Sequence, residues 1–169
     1  MEDTKYQGQY IKVTEEEIDG VNWERCYLRD GVIIYAIDRD GKFILINEKR
    51  PHEKEKVRLR FVSGHLEEGL SVLENANKEL MEEIGLKANK LEVFFSLETS
   101  GTVNNKVYFV LASEFVEEKL FNPDGDVVLS IEKFTYDEML KMILEDRFRW
   151  SSAALGFMRL HFLHRDKLR

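Results

Sequence analysis

Residues 64–86 read GHLEEGLSVLENANKELMEEIGL, a pattern that predicts a glycine turn followed by a helix rich in carboxylates. Glu79, Glu82 and Glu83 are spaced i, i+3 and i+4, so their side chains leave the same side of a helix. Like charges at this spacing destabilise a helix by roughly 0.2–0.5 kcal/mol per pair. A hard divalent cation such as Mg2+ would relieve that repulsion. Taken alone, the three glutamates also fit a solvated acidic helix face.

The same stretch carries signals for both ends of the helix. Ser71 and Glu74 form the Ser-x-x-Glu pattern of a capping box, which places the helix start near residue 71. Gly85 stands where a left-handed C-terminal residue is favoured. Apolar residues recur every four positions, at Val72, Ala76, Leu80 and Ile84. One face of the helix is therefore expected to pack against a sheet, and the other to bind a cation.

With these features, residues 64–86 resemble the Nudix box. Matching positions include both glycines, the aliphatic residues and the glutamates, namely Gly64, Glu79, Leu80, Glu82, Glu83, Gly85 and Leu86. Leu70 stands where the family has its first glutamate, and Lys78 stands where it has arginine. Lysine keeps the charge but lacks the planar fork that holds a carboxylate at two points. The resemblance therefore indicates a Nudix relative with a degenerate box.

Shorter motifs outside the box are similar to the ADP-ribose pyrophosphatase branch of that family. They are Arg50-Pro51 before the box, Thr99-Ser100-Gly101 after it, and the closing segment 150–155. Two positions depart from the branch: Arg60 replaces a usual glutamate, and Asn105 stands where a glutamate is common. A different substrate or a low turnover is expected from these changes.

The resemblance implies a magnesium site, with manganese as an alternative ion. The backbone carbonyl of Gly64 and the carboxylates of Glu79, Glu82 and Glu83 would be the metal ligands. An activated water would attack one phosphorus of a nucleoside diphosphate linked to another group, with Glu79 and Glu83 as catalytic residues. The expected substrate is similar to ADP-ribose or a nucleotide sugar.

Further candidates lie outside the box. Asp126 is the candidate for an additional catalytic carboxylate, although Asp124-Gly125 beside it is also ordinary turn chemistry. Arg50 and Arg60 are candidates for phosphate binding, since guanidinium groups suit phosphate oxygens, and a generic basic loop is the alternative. Trp23 is a candidate for stacking on a nucleobase, and a core or dimer contact is equally compatible with an aromatic residue on a strand.

Composition limits the classes of protein. The 169 residues, 43% of them hydrophobic, are enough for one domain spanning 1–169. The formal net charge of −7 argues against a general nucleic-acid backbone binder. Cys26 is the single cysteine, so an intramolecular disulfide is excluded. With neither a signal peptide pattern nor an apolar run of membrane length, a cytoplasmic protein without a membrane partner is expected.

Periodicity predicts an α+β fold, the Nudix-type α/β/α sandwich with a mixed sheet and an N-terminal β-hairpin. Strands are expected at 9–14, 22–29, 31–38, 42–48, 90–99, 106–113 and 126–133. Residues 1–30 form the N-terminal strand pair, which the family branch implies to be a homodimer element. Thr135 and Glu138 form a second capping box, and Ser151 is expected to cap a final helix, so 135–169 holds two C-terminal helices.

Two functions of different classes follow. The first is a magnesium-dependent hydrolase acting on a nucleoside diphosphate substrate, supported by the three clustered glutamates. The second is a catalytically weak Nudix domain that binds a nucleotide ligand or a protein partner, supported by Leu70, Lys78, Asn105 and Arg60. The clustering favours the enzyme, since three repelling carboxylates have no evident structural use.

Overall fold

The computed structural model describes residues 1–122 and 127–163. Within these residues there are nine strands and three helices. The strands are β1 (Asp3–Gln7), β2 (Ile11–Ile18), β3 (Val21–Leu28), β4 (Gly31–Ile37), β5 (Phe43–Lys49), β6 (Val57–His65), β7 (Leu86–Thr99), β8 (Val103–Glu117) and β9 (Val128–Phe134). The helices are α1 (Val72–Glu83), α2 (Tyr136–Leu144) and α3 (Ser151–Leu163).

The strands form one mixed sheet in the order β1-β2-β3-β8-β4-β6-β5-β9, with β7 paired to β8. The long strand β8 organises it, because it runs parallel to both β3 and β4 and antiparallel to β7. Strand β6 lies between β4 and β5 and is antiparallel to both. Strand β6 ends at His65, and the loop that leads into α1 therefore starts from the centre of the sheet.

The sheet is covered on both faces. On one face, α1 buries Ala76 and Leu80 against Val32, Ile46 and Val62. On the other, α2 and α3 pack over a second core, which includes Tyr35, Phe43, Phe61, Phe109, Met139 and Phe157. The predicted α/β/α sandwich with a mixed sheet is confirmed.

Helix α3 approaches the sheet closely at Gly156. A Cβ atom on this residue would collide with the hydroxyl of Tyr35 and the ring of Phe109, so only glycine fits without a shift. The buried Tyr35 hydroxyl donates a hydrogen bond to the carbonyl of Ala153 at 2.6 Å. This bond satisfies a polar group inside the core and fixes the position of the helix on the sheet.

Two expectations about the elements were wrong, and one element is larger than predicted. Strand β6 was not predicted, and it places Gly64 and His65 in a strand, where a turn was expected. The predicted N-terminal β-hairpin is confirmed as β2 and β3, and β1 extends it to three antiparallel strands. Ser151 lies inside α3, and the carbonyl of Trp150 accepts the first helical hydrogen bond, from the amide of Ala154 at 2.8 Å.

Candidate functional site

Helix α1 begins and ends where the sequence predicts. The hydroxyl of Ser71 accepts a hydrogen bond from the Glu74 amide at 3.3 Å, and the Glu74 carboxylate accepts one from the Ser71 amide at 2.8 Å. Gly85 follows the helix with a φ of 69°, in the left-handed region that glycine adopts readily. The capping box and the glycine stop are therefore confirmed, and they orient the glutamate face of α1.

A buried asparagine, which sequence reasoning missed, supports the loop before α1. Asn75 is 1% exposed and its carbonyl oxygen accepts a hydrogen bond from the Glu67 amide at 2.9 Å. Its amide nitrogen donates to the carbonyls of Ser71 at 2.9 Å and Leu70 at 3.4 Å. A polar residue inside the apolar stripe of a helix was the available signal, because a buried polar group needs partners.

Replacing Asn75 with alanine is expected to lower the free energy of unfolding by about 1–3 kcal/mol, because backbone groups of the loop lose buried partners. Urea denaturation measures the change. Asn89→Ala is the matched control, since Asn89 is exposed. Equal stability of the two variants would show that Asn75 does not hold the loop.

Glu79 and Gly64 are brought together by the packing of α1 on β6. A Cβ atom built on Gly64 would overlap the carboxylate of Glu79. The absence of a side chain at residue 64 therefore lets the carboxylate lie directly against the backbone of the strand. The predicted partnership of Gly64 and Glu79 is thus spatially possible, and it depends on the β6 strand that the sequence analysis missed.

Glu83 points into the interior between α1 and the sheet. Its Oε2 atom is inaccessible to solvent and has no hydrogen-bond partner among the described residues. Burial raises the pKa of Glu83 well above its ordinary value, Arg60 opposes the rise, and the neighbouring charges of Glu79 and Glu48 add to it. The Ser63 amide donates a hydrogen bond to the carboxylate, which also opposes the rise. A buried carboxylate of this kind is a common feature of functional sites.

Glu82 has a different environment, because Lys78 engages it. The Lys78 ammonium lies 3.3 Å from the carboxylate of Glu82 and also contacts the carboxylate of Glu67. The hydrogen bond with Glu67 is the main cause that raises the pKa of Lys78. Leu70, in the place of the family's first glutamate, is 40% exposed. Glu67 therefore supplies the carboxylate partner for Lys78 that residue 70 lacks.

A fourth carboxylate belongs to the cluster and was not predicted. Glu48 on β5 is fully buried; its carboxylate lies 3.1 Å from Arg50 and also contacts Arg60. The guanidinium of Arg60 donates a second hydrogen bond to the hydroxyl of Ser63. A signal was present in the sequence, because Glu48 follows the apolar run 43–46 and two arginines alternate with apolar residues at 57–61. Buried charges require opposite charges.

These residues fit a magnesium ion through two carboxylates. Glu79 and Glu83 offer hard oxygen donors. One of these atoms, Oε2 of Glu83, is buried and has no hydrogen-bond partner among the described residues. The space above Gly64 keeps the Glu79 carboxylate near the strand backbone. Within residues 1–122 and 127–163, no three acidic, imidazole or thiol side chains converge as a complete metal site. Mg2+ is often held by one or two carboxylates together with water and substrate phosphate.

Two cavities flank the carboxylates. One, of about 230 Å3, is lined by residues that include Arg60, Ser63, Gly64, Asn105 and Trp150. The other, of about 660 Å3, lies beside Glu82 and Glu83 and is bordered by segments 119–122 and 128–131. Glu82 and Glu83 of α1 thus border one cavity, and Gly64 at the end of β6 borders the other. Asn105 and Trp150 are additional lining residues; Trp150 had no predicted role.

The remaining candidates differ in position. Arg50 is held by Glu48 and by Glu53, whose carboxylate lies 3.1 Å away. Trp23 is exposed on β3 and does not line the cavity beside Gly64. Asp126 lies outside the described residues. The substrate-binding roles of Arg50, Arg60 and Trp23 and the catalytic role of Asp126 stay predictions.

Comparison with known proteins assigns the family. A family model described as NUDIX domain matches residues 27–154. A solved structure titled "Crystal structure of ADP compounds hydrolase" is 26% identical with a TM-score of 0.76, and the alignment covers 94% of this chain and 90% of that chain. A search of curated proteins gave no match. The chain belongs to the Nudix family and is a Nudix hydrolase.

The described helices were also compared with the requirements of a membrane span. In residues 1–122 and 127–163, no helix is both long and apolar enough to cross a bilayer.

Proposed function

We propose that this Nudix hydrolase cleaves the pyrophosphate of a nucleoside diphosphate linked to a second group, with ADP-ribose or a nucleotide sugar as the type of substrate. The observation that carries the proposal is the pairing of Glu79 with Gly64 beside the buried, partnerless oxygen of Glu83. The similar structure titled as an ADP compounds hydrolase supports the substrate class.

Glu79, Glu83 and the Gly64 carbonyl would hold Mg2+, or Mn2+ in its place, and Glu82, which Lys78 contacts at 3.3 Å, is the further proposed ligand. When bound, the ion would neutralise phosphate oxygens and help to activate a water. Glu79 is the residue that we assign to orienting that water, because its carboxylate faces the strand end at Gly64. Because burial raises the pKa of Glu83, metal binding there would displace a proton from this carboxyl group.

The phosphates of the substrate are placed in the cavity lined by Arg60, Ser63 and Gly64. Arg60 presents positive charge there, and Ser63 and Asn105 supply polar groups. Trp150, stacked at 4.8 Å on the Arg60 guanidinium, forms one wall. Arg50 contributes less directly to phosphate binding, because Glu48 and Glu53 already hold its guanidinium.

The test is a hydrolysis assay on ADP-ribose, nucleotide sugars, dinucleotides and nucleoside triphosphates, each with Mg2+ or Mn2+, in which chromatography separates and measures the nucleotide products. We expect turnover on the ADP-ribose or nucleotide-sugar group and its loss in Glu79→Gln. Absence of turnover on every compound, with folded protein shown by circular dichroism, would reject the proposed function.

Substitutions at Leu70 and Lys78, the two departures from the family pattern, test whether the enzyme is competent or weak. We expect Lys78→Gln to lower kcat roughly 10- to 100-fold, because Lys78 orients Glu82 from outside the reacting groups. Restoring the family pattern with Leu70→Glu and Lys78→Arg is expected to change kcat by less than about threefold, because Glu67 already supplies the partner and residue 70 is exposed. Steady-state kinetics measures both.

The opposite result would favour the alternative function. A large gain in kcat from the restored pair would show that Leu70 and Lys78 limit the reaction, as expected for a weak Nudix domain with a binding role. Glu68→Gln is the control, because Glu68 is an exposed glutamate of the same loop.

We also propose a homodimer, formed through the three N-terminal strands. Their apolar residues include Ile18, Val21 and Trp23, which are 41%, 53% and 54% exposed. Light scattering on the purified protein tests this assembly, and a monomer at all concentrations measured would reject it.

A further inference from the structure

Arg60 lies among the carboxylates of the site as a cation that belongs to the chain. Its side chain is 14% exposed. One terminal nitrogen contacts the carboxylate of Glu48, the other contacts the Ser63 hydroxyl, and the guanidinium stacks on Trp150. Its Nε is buried without a hydrogen-bond partner among the described residues. Burying a guanidinium in this way is costly unless neighbouring negative charge offsets it.

Strand register brings this cation to the site. Arg60 on β6 lies opposite Ile46 on β5, and Glu48 is two residues further along β5. Arg60 and Glu48 are therefore diagonal neighbours on one face of the sheet. Ile46 packs in the core beneath α1, which also carries Glu83. The fold itself thus directs Arg60 toward the carboxylates.

Carboxylates outnumber cations in the surroundings of Glu83 and Arg60. The charges of Glu79 and Glu48 both act on Glu83, and Arg60 is the cation that opposes them. Arg50 contacts Glu48 at 3.1 Å and is also engaged by Glu53 at 3.1 Å. Lys78 is engaged by Glu67 and Glu82. Arg60 consequently neutralises part of the negative charge that acts on Glu83.

We propose that Arg60 is a permanent cation of the carboxylate site, supplying positive charge that a further divalent ion would otherwise bring and so limiting how many such ions bind. The inference rests on the proposed function for its metal. It assigns Arg60 a positioning role toward Glu48 and Glu83, in addition to its place in the wall of the cavity. The enzyme then needs fewer divalent ions before substrate arrives.

The test is a titration with Mn2+ alone, in which electron paramagnetic resonance measures the free ion. Arg60→Gln is expected to bind Mn2+ roughly fivefold more tightly than wild type, or to bind an additional ion, because it removes a nearby positive charge. Arg60→Lys keeps the charge and is expected to bind as wild type does. Glu48→Gln leaves Arg60 without its carboxylate partner and is expected to weaken Mn2+ binding.

A purely structural role for Arg60 predicts a different pattern, in which every variant loses affinity together. Unchanged or weaker Mn2+ binding by folded Arg60→Gln would overturn the inference. Thermal unfolding gives a second readout: this variant should be less stable than wild type in EDTA and should gain more stability from Mn2+. If the variant stays unfolded even in Mn2+, the inference is also overturned, because no ion then replaces the lost charge.

Hydrolysis by the same wild-type sample separates this inference from the proposed function. Turnover of ADP-ribose or a nucleotide sugar without any gain of Mn2+ binding in Arg60→Gln would leave the function intact and reject the role of Arg60. A gain of Mn2+ binding in Arg60→Gln without turnover by wild type on any compound would support the role of Arg60 and reject the hydrolase reaction.

Discussion

Glu83→Gln is expected to lower kcat at least about 100-fold while it stabilises the metal-free protein. Glutamine has the shape of the glutamate but cannot carry the negative charge that a divalent ion requires. The loss of activity follows from the position of Glu83 beside Glu79 at the end of α1. Steady-state hydrolysis at saturating Mg2+ measures the change in kcat.

The gain in stability has a defined pH dependence. Burial raises the folded-state pKa of Glu83 above its ordinary value of 4.5, and the Glu79 and Glu48 charges raise it further. A raised carboxyl pKa means that the wild type loses stability as pH rises from 4.5 through the folded-state pKa, because ionising the buried group is unfavourable. Glutamine does not ionise, so the variant does not incur this loss.

The melting temperatures of the two proteins in EDTA should therefore converge at acidic pH and separate as pH increases. Differential scanning fluorimetry across the pH range measures this separation. Glu68→Gln removes a charge from an exposed position and should melt as wild type does. If the melting temperatures of Glu83→Gln and wild type differed by the same amount at every pH, this would contradict the assignment of Glu83 as a buried carboxylate that titrates.

Gly64→Ala is expected to reduce kcat by roughly 100-fold with a much smaller effect on folding. The new methyl group would occupy the position of the Glu79 carboxylate, and that carboxylate is the end of a flexible side chain. The side chain can therefore rotate away at little cost to stability, but it then leaves the place where it acts on the substrate. In this variant kcat should therefore fall strongly while the free energy of unfolding changes little.

Gly8→Ala is the matched control for the glycine substitution. The added Cβ at Gly8 also meets a flexible side chain, that of Tyr6, which is 58% exposed. Its kcat should equal that of wild type. Kinetics and urea denaturation on both variants test the prediction, and it is wrong if Gly64→Ala retains wild-type kcat, because Glu79 then has no need of the space above residue 64.

The sequence was sufficient for helix α1 and for its orientation. The capping box of Ser71 and Glu74, the stop at Gly85 and the stripe through Ala76 and Leu80 all depend on contacts within four residues along the chain. Such short-range patterns can be read without a structure. The same reasoning correctly predicted the capping box at Thr135 and the mixed sheet between two layers of helices.

The missed strand β6 shows where this reasoning fails. Residues 57–61 alternate apolar and charged side chains, which is the period of a strand, but no strand was predicted there. The structure accommodates them because Glu53 pairs with Arg58 at 3.0 Å and Glu48 with Arg60. A charge in a central strand is tolerated when an opposite charge lies beside it. Here those opposite charges come from other segments of the chain, so the pattern within residues 57–61 does not show them.

The sequence by itself determined the family resemblance, the glutamate face of α1 and the two helix caps, since these are set by residues near one another along the chain. Only the tertiary structure placed Gly64 under Glu79, added Glu48 to the site and directed Arg60 toward both Glu48 and Glu83. Those relations arise from strand register and from the packing of a helix on a sheet, which local periodicity does not specify. The electrostatics of the site are consequently a property of the fold.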